Sequence, residues 1–146
     1  MKNLNLLMIL FLAAGILFTG CKKTGPSTET TQQETEALAA AQSWLSLLDS
    51  GDHAACWDAS GKLLQTAMDR DTYITKMTSV MTPFGACKSR EVLSKKYKTS
   101  LPGAPDGEYV VIQFKTSYEK KSKAVETVTP AKEEDGAWRV SGYYIK

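Results

Sequence analysis

The sequence predicts an α+β domain in which helices precede an antiparallel sheet. Between positions 37 and 81, apolar residues recur three and four positions apart, which is the spacing of one helix face. Between positions 89 and 145 the apolar residues alternate with polar ones, and clusters of turn-forming residues separate the segments. Helices that precede consecutive strands with short connections are typical of an antiparallel sheet with helices packed against it.

The first predicted helix has one apolar stripe. The stripe consists of Ala37, Ala41, Trp44, Leu45 and Leu48. Thr31 and Glu34 have the spacing of an N-terminal capping box, and Ser50 with Gly51 is expected to end the helix.

Shorter helical segments are predicted before Gly85. Asp52 is expected to cap a second helix that contains Cys56 and Trp57. One or two further turns are expected at 63–68, and Asp71 is expected to open a third helix. The apolar face of that third helix consists of Tyr73, Met77, Val80 and Met81.

Four strands are predicted after Gly85, at 89–99, 108–118, 124–133 and 137–145. The second strand is apolar on both faces, which predicts a central position in the sheet. Asp135 and Gly136 predict a tight hairpin between the last two strands.

Residues 1–20 have the features of a lipoprotein signal peptide. Lys2 precedes an apolar segment at 6–18, which is shorter than the roughly 20 residues of a transmembrane helix but suits a signal peptide. Thr19 and Gly20 then precede Cys21, as small residues do in a lipobox. We therefore expect cleavage before Cys21 and attachment of a membrane anchor to its sulfur.

A flexible tether is expected between the anchor and the domain. Residues 22–33 are polar and contain Gly25 and Pro26, so the folded domain is expected to occupy 34–146. Lys22 stands where inner-membrane lipoproteins carry Asp, which favours the outer membrane of a bacterial envelope with the domain facing the periplasm.

Composition excludes several classes of function. The formal net charge of +2 is too small for a protein that binds nucleic acid by neutralising phosphates, so we expect no nucleic-acid partner. The single histidine, His53, and the cysteine spacing do not fit a zinc site, and we expect no metal or cofactor. The sequence also lacks phosphate-binding, dinucleotide-binding and serine-nucleophile motifs.

The second half of the chain resembles the bacterial DUF4019 family, whose function is unknown. Residues 101–109 read LPGAPDGEY, residues 124–127 read AVET and residues 135–143 read DGAWRVSGY, in the order of the family pattern. The first half matches more loosely, at Trp44, Asp52, Trp57, Asp58, Ser60, Pro83, Gly85, Ser89 and Arg90. The resemblance covers about 37–146 and implies an NTF2-like or cystatin-like cone, with helices on the concave side of a curved four-stranded sheet.

Two cysteines remain after lipidation of Cys21. Cys56 and Cys87 form an even pair in an oxidising compartment, so we expect a disulfide between them. The alternative is that both are small buried apolar residues.

Candidate chemistry depends on polar residues that can face the interior of the cone. Asp58 or Glu126 is the candidate acid, and Tyr109 or Tyr143 is a candidate hydrogen-bond donor. The alternative is structural, with Asp58 ordering the end of its helix and the other charges paired across the sheet. That predicted charge network consists of Arg90, Glu108, Glu126 and Arg139.

These features favour a non-enzymatic, lipid-anchored module that binds an envelope protein, a cell-wall component or a small ligand. The alternative is a small-pocket enzyme or ligand carrier in which Asp58 or Glu126 acts as acid or base. A filled interior would favour the binding module, whereas a deep cavity around an ionisable group with a displaced pKa would favour the enzyme. A lysine cluster near one turn is expected to be solvated, or else to contact anionic lipid or peptidoglycan. It consists of Lys115, Lys120, Lys121 and Lys123.

Overall fold

The computed structural model describes residues 28–146, which form four helices followed by four strands. The helices are α1 (Thr28–Asp49), α2 (His53–Asp58), α3 (Lys62–Ala67) and α4 (Arg70–Met81). The strands are β1 (Cys87–Lys98), β2 (Tyr109–Tyr118), β3 (Ala124–Lys132) and β4 (Trp138–Ile145). This order confirms the predicted α+β class, with helices packed on an open, curved antiparallel sheet.

The apolar stripe of α1 packs against the sheet as predicted. Ala37 and Ala41 are fully buried, and their small side chains let the helix lie close to the strands. Trp44, Leu45 and Leu48 are also buried and continue the same face.

The start of α1 differs from the prediction. The helix begins at Thr28, so the last six residues of the predicted tether are helical and Thr31 lies inside the helix instead of capping it. Contacts with the sheet hold this first part of the helix in place: Gln33 Nε2 donates to Glu108 Oε1 at 2.7 Å, and the Tyr97 backbone N–H donates to Glu34 at 3.3 Å. Cys21 and the predicted signal peptide lie outside the described residues.

Aspartate side chains cap two of the short helices. Asp52 accepts from the Ala55 N–H at 2.9 Å, which confirms the predicted cap of α2. The N-cap of α4 is Asp69, which accepts from the Thr72 N–H at 3.0 Å. Asp71, predicted to open that helix, lies in its first turn, where a negative charge interacts favourably with the helix dipole.

The sheet is a meander with the spatial order β1-β2-β3-β4. β2 is central, as its two apolar faces predict, and β1 and β4 form the edges. Register shifts interrupt the pairing between Val92 and Ser94 in β1 and between Thr129 and Pro130 in β3. Such irregularities bend strands and increase their twist, which curves the sheet around α1.

Trp44 connects α1 to the segment that follows it. Its indole N–H lies 3.0 Å from both the Cys56 carbonyl and the Ser60 hydroxyl, and its ring lies 5.3 Å from that of Tyr143. The Ser60 hydroxyl in turn donates to the Cys56 carbonyl at 2.7 Å. The side chain therefore joins two helices and the last strand in the core.

The predicted disulfide is not seen in the structure, in which Cys56 and Cys87 are both free thiols. Cys56 Sγ is directed at the Trp44 carbonyl and Cys87 Sγ at the Ser89 carbonyl, each at 3.9 Å. Burial, with the nearby charges of Asp52 and Asp49, raises the pKa of the Cys56 thiol to about 12. The thiolate form needed for disulfide exchange is therefore scarce at Cys56.

None of the helices within residues 28–146 has both the length and the apolar character needed to cross a membrane.

Candidate functional site

The most polar part of the core surrounds Glu126. This residue lies on the helix-facing side of β3, and its side chain is completely buried. Its cross-strand neighbours are Phe114 on β2 and Ile145 on β4. A carboxylate in this position requires partners, because burying an unpaired charge costs several kcal/mol.

Four side chains donate hydrogen bonds to the Glu126 carboxylate. Arg90 Nε lies 2.6 Å from Oε2, and the Thr116 hydroxyl donates to the same oxygen. The hydroxyls of Tyr118 and Tyr143 each donate to Oε1 at 2.7 Å, and Arg90 Nη2 approaches Oε1 at 3.2 Å. The donors come from β1, β2 and β4, so the carboxylate links all four strands.

Arg90 extends the cluster to the end of α1. Its guanidinium forms a two-pronged ion pair with Asp49, with nitrogen–oxygen distances of 2.7 and 3.0 Å. Asp49 is the last residue of α1, where the helix dipole disfavours a negative charge. The positive charge of Arg90 therefore balances the negative charges of Glu126 and Asp49 and attaches the end of α1 to the sheet.

Electrostatics keep Glu126 ionised. Burial raises the pKa of this carboxyl, but hydrogen bonds from Arg90, Thr116 and Tyr118 outweigh burial and hold the pKa below its usual value. Burial, together with the Glu126 charge, raises the pKa of Tyr143 and Tyr118. The two phenols therefore remain protonated donors at neutral pH.

The geometry suits Glu126 to a structural task. A carboxylate has about four acceptor positions, and its hydrogen bonds with protein donors occupy them. A substrate proton could reach the carboxylate only after one of these bonds had broken. Arg90 and Asp49 line a depression of about 300 Å³, and Glu126 is not among its lining residues.

The structure brings together some of the predicted site residues and separates others. Arg90 and Glu126, two residues of the predicted charge network, meet in the cluster, where Tyr143, a candidate hydrogen-bond donor, joins them. The other predicted members lie elsewhere. Glu108 pairs with Lys132 at 3.4 Å, and Arg139 pairs with Asp135 at 2.8 Å in the last hairpin.

The two remaining candidates, Asp58 and Tyr109, have local roles. Asp58 forms a two-pronged ion pair with Arg70, with both distances 2.9 Å, and lies at the surface. The Tyr109 hydroxyl donates to the Pro105 carbonyl at 2.7 Å and closes the turn before β2. The pairing of Asp58 agrees with the structural alternative, which assigned it to ordering the end of α2.

Sequence reasoning missed three members of the cluster, which are Asp49, Thr116 and Tyr118. Thr116 and Tyr118 follow Phe114 at two-residue intervals and therefore lie on its face of β2. That alternation placed them in the core, but their meeting with Glu126 depends on a strand register that the sequence does not specify.

An apolar groove, also missed, separates α4 from the edge strand β4. Its volume is about 450 Å³, within the range of ligand-binding clefts. α4 packs mainly against α2 and leaves the space beside β4 open. One wall of the groove is the β4 segment Ser141–Ile145. The other wall comes from α3 and the residue after it (Leu64, Ala67 and Met68) and from α4 (Tyr73, Lys76, Met77 and Val80).

Two exposed apolar residues stand at this groove. Tyr144 is 62% exposed and Val80 is 40% exposed, although large apolar side chains on monomeric domains are mostly covered. Tyr73, on the floor, is buried, and its hydroxyl has no hydrogen-bond partner within residues 28–146. Such an unpaired buried hydroxyl is unusual in a folded protein.

Within the described part of the chain, no group of three or more histidine, cysteine, aspartate or glutamate side chains is arranged to hold a metal ion. A second depression, of about 550 Å³, lies between α2 and the last hairpin and is polar. It contains Asp58 and Arg139, each already paired as described above.

The chain belongs to the family described as a protein of unknown function, DUF4019, which matches residues 40–143. The match runs from the second half of α1 to Tyr143 in β4, and it contains the Glu126 cluster and the groove lining except Tyr144 and Ile145. No curated protein matches the chain.

Proposed function

We propose that the protein is a lipid-anchored bacterial envelope lipoprotein whose folded domain is a non-enzymatic binding module. In this proposal Cys21 carries the lipid, the domain faces the periplasm from the outer membrane, and the groove between α4 and β4 binds an envelope partner. The apolar lining of the groove favours a protein partner over a cell-wall carbohydrate.

The observation that carries the proposal is the open groove with its exposed apolar residues. Val80 and Tyr144 stay in contact with water in the isolated chain, and covering them would remove apolar area from water. Among residues 28–146, Lys76 is the only charged residue that lines the groove, and the lining contributed by them has no acid and base pair for catalysis.

The state of Glu126 also favours binding over catalysis. This residue was the candidate acid of the enzyme alternative, but the acceptor positions of its carboxylate are filled by protein donors. Glu126 is also not among the residues that line the groove.

Hexanoate should bind the groove of the full-length lipoprotein in lipid nanodiscs. The methyl groups of Met68 and Met77 line the groove and should shift saturably in carbon-13 spectra, whereas Met81, outside its lining, should not. Val80→Asp should weaken binding at least tenfold, because it places a charge on an apolar wall.

Leu93→Asp is the matched control for this experiment. Leu93 is exposed on β1, away from the groove, so the substitution adds the same charge without changing the binding wall. Equal losses of affinity in the two variants, or absence of saturable shifts in the unmodified protein, would contradict binding in the groove.

Cys21→Ser should abolish the lipid anchor. Labelling with radioactive palmitate should fall to background, and the protein should leave the membrane fraction. Cys87→Ser, which removes a thiol at the start of β1, should retain full labelling. Labelling that persists in Cys21→Ser would refute the lipoprotein assignment.

A further inference from the structure

The free edge of β4 borders the groove. β4 is the edge strand of the sheet and, within residues 28–146, pairs only with β3. Val125 and Lys146 exchange both backbone hydrogen bonds, at 2.9 and 3.1 Å, so they form a hydrogen-bonded pair. In an antiparallel ladder such pairs recur every two residues, which assigns Tyr144 and Gly142 to the same class.

The residues between those pairs point their backbone groups outward. The N–H and C=O groups of Tyr143 and Ile145 therefore face away from β3 and towards the groove. At Val140, beyond the irregularity in the strand, the outward carbonyl accepts from the Gly61 N–H at 2.8 Å. Further along, within residues 28–146, no other backbone group occupies the outward positions of Tyr143 and Ile145.

The opposite wall of the groove is a helix face. Tyr73, Lys76, Met77 and Val80 follow the three- and four-residue spacing of one stripe on α4. A strand edge that faces an apolar helix stripe can accept one extended chain, whose backbone pairs with the edge and whose side chains contact the helix. The five residues Ser141–Ile145 are about 16 Å long at roughly 3.3 Å per residue.

We propose that the groove binds an extended peptide segment of a partner protein, apolar at alternate residues and carrying an acidic side chain, which adds to β4 as a fifth strand. The acidic side chain follows from Lys76, the only charged residue in the lining within the described part of the chain. This inference rests on the proposed function of the groove and specifies the partner's chemistry.

The test uses isotope-labelled full-length lipoprotein in nanodiscs and the synthetic peptide Asp-Val-Ser-Val-Ser-Val-Asp. Acidic residues at both ends make the probe independent of strand direction. On binding, the amides of Tyr143 and Ile145 should become at least tenfold more protected from hydrogen exchange. The amides of Gly142 and Tyr144, already paired with β3, should change little.

Two matched changes test the mode of binding. Two probes, one N-methylated at the odd residues and one at the even residues, each lack the backbone donors of one strand edge. The probe that lacks the donors facing β4 should bind at least tenfold more weakly. A probe with lysine at both ends should bind more weakly than the acidic probe.

The outcomes separate this inference from the proposed function. If hexanoate binds and the acidic peptide does not, strand addition is wrong and the groove remains a binding site. If both methylated probes bind as tightly as the parent, the peptide occupies the groove without pairing to β4. Protection of Tyr143 and Ile145 that rises with protein concentration in the absence of peptide would instead identify a second copy of the chain as the occupant. If neither hexanoate nor peptide binds, both proposals fail.

Discussion

Replacing Arg90 with methionine should destabilise the domain by about 3–5 kcal/mol, the usual cost of leaving a buried charge without its partner. Glu126 would remain in the core with three hydroxyl donors and no cation, and Asp49 would lose its ion pair at the end of α1. Urea unfolding followed by circular dichroism measures the loss as a lower midpoint at unchanged slope.

The matched control is Arg70→Met. Arg70 makes the same two-pronged contact with Asp58, but both side chains are about half exposed. Exposed pairs contribute roughly 0–1 kcal/mol, so this variant should unfold near the wild-type midpoint. Arg90→Lys should fall between the two, because it restores the charge without the two-pronged geometry. Similar losses for Arg90→Met and Arg70→Met would show that the buried cluster has no special importance.

Trp44→Ala should also cost about 3–5 kcal/mol, as truncations of large buried aromatic residues do. The substitution empties the junction between α1, α2 and β4, and removes the indole donor from the Cys56 carbonyl and the Ser60 hydroxyl. The same urea experiment measures it, with near-ultraviolet circular dichroism reporting on the packing of the remaining aromatic rings.

Two further variants make the Trp44 prediction specific. Trp44→Phe keeps most of the apolar contact but lacks the indole N–H. It should lower the stability by only about 1 kcal/mol, because the Cys56 carbonyl still accepts a hydrogen bond from Ser60. Tyr144→Ala removes a largely exposed ring and should change stability by less than about 0.5 kcal/mol. A Trp44→Ala loss as small as that of Tyr144→Ala would contradict the assigned role.

The fold followed from the sequence wherever the determining interactions are local. The stripe from Ala37 to Leu48 was predicted because helix period alone places those residues on one face. The Asp52 cap was found because a cap depends on residues three positions away. β2 was placed centrally because both of its faces are apolar.

The missed features depend on contacts distant in sequence. The first turns of α1 are polar and resemble a tether, and their order comes from contacts with Glu108 and Tyr97 far along the chain. Glu126 was predicted as a candidate, but its partners Thr116, Tyr118 and Asp49 meet it only through strand register and the position of α1. The groove arises because α4 packs on α2 and not on β4, which no local pattern encodes.

The two edges of the sheet differ in how well they resist uncontrolled aggregation. β1 has two breaks in its pairing register and four lysines, both of which discourage other strands from joining an edge. On β4 the bond from Gly61 to Val140 blocks only the first part of the strand, and the part after Gly142 carries no charge before Lys146. Mutations that loosen α4 would therefore widen access to this end of β4, and fibril-like self-association should start there and not at β1.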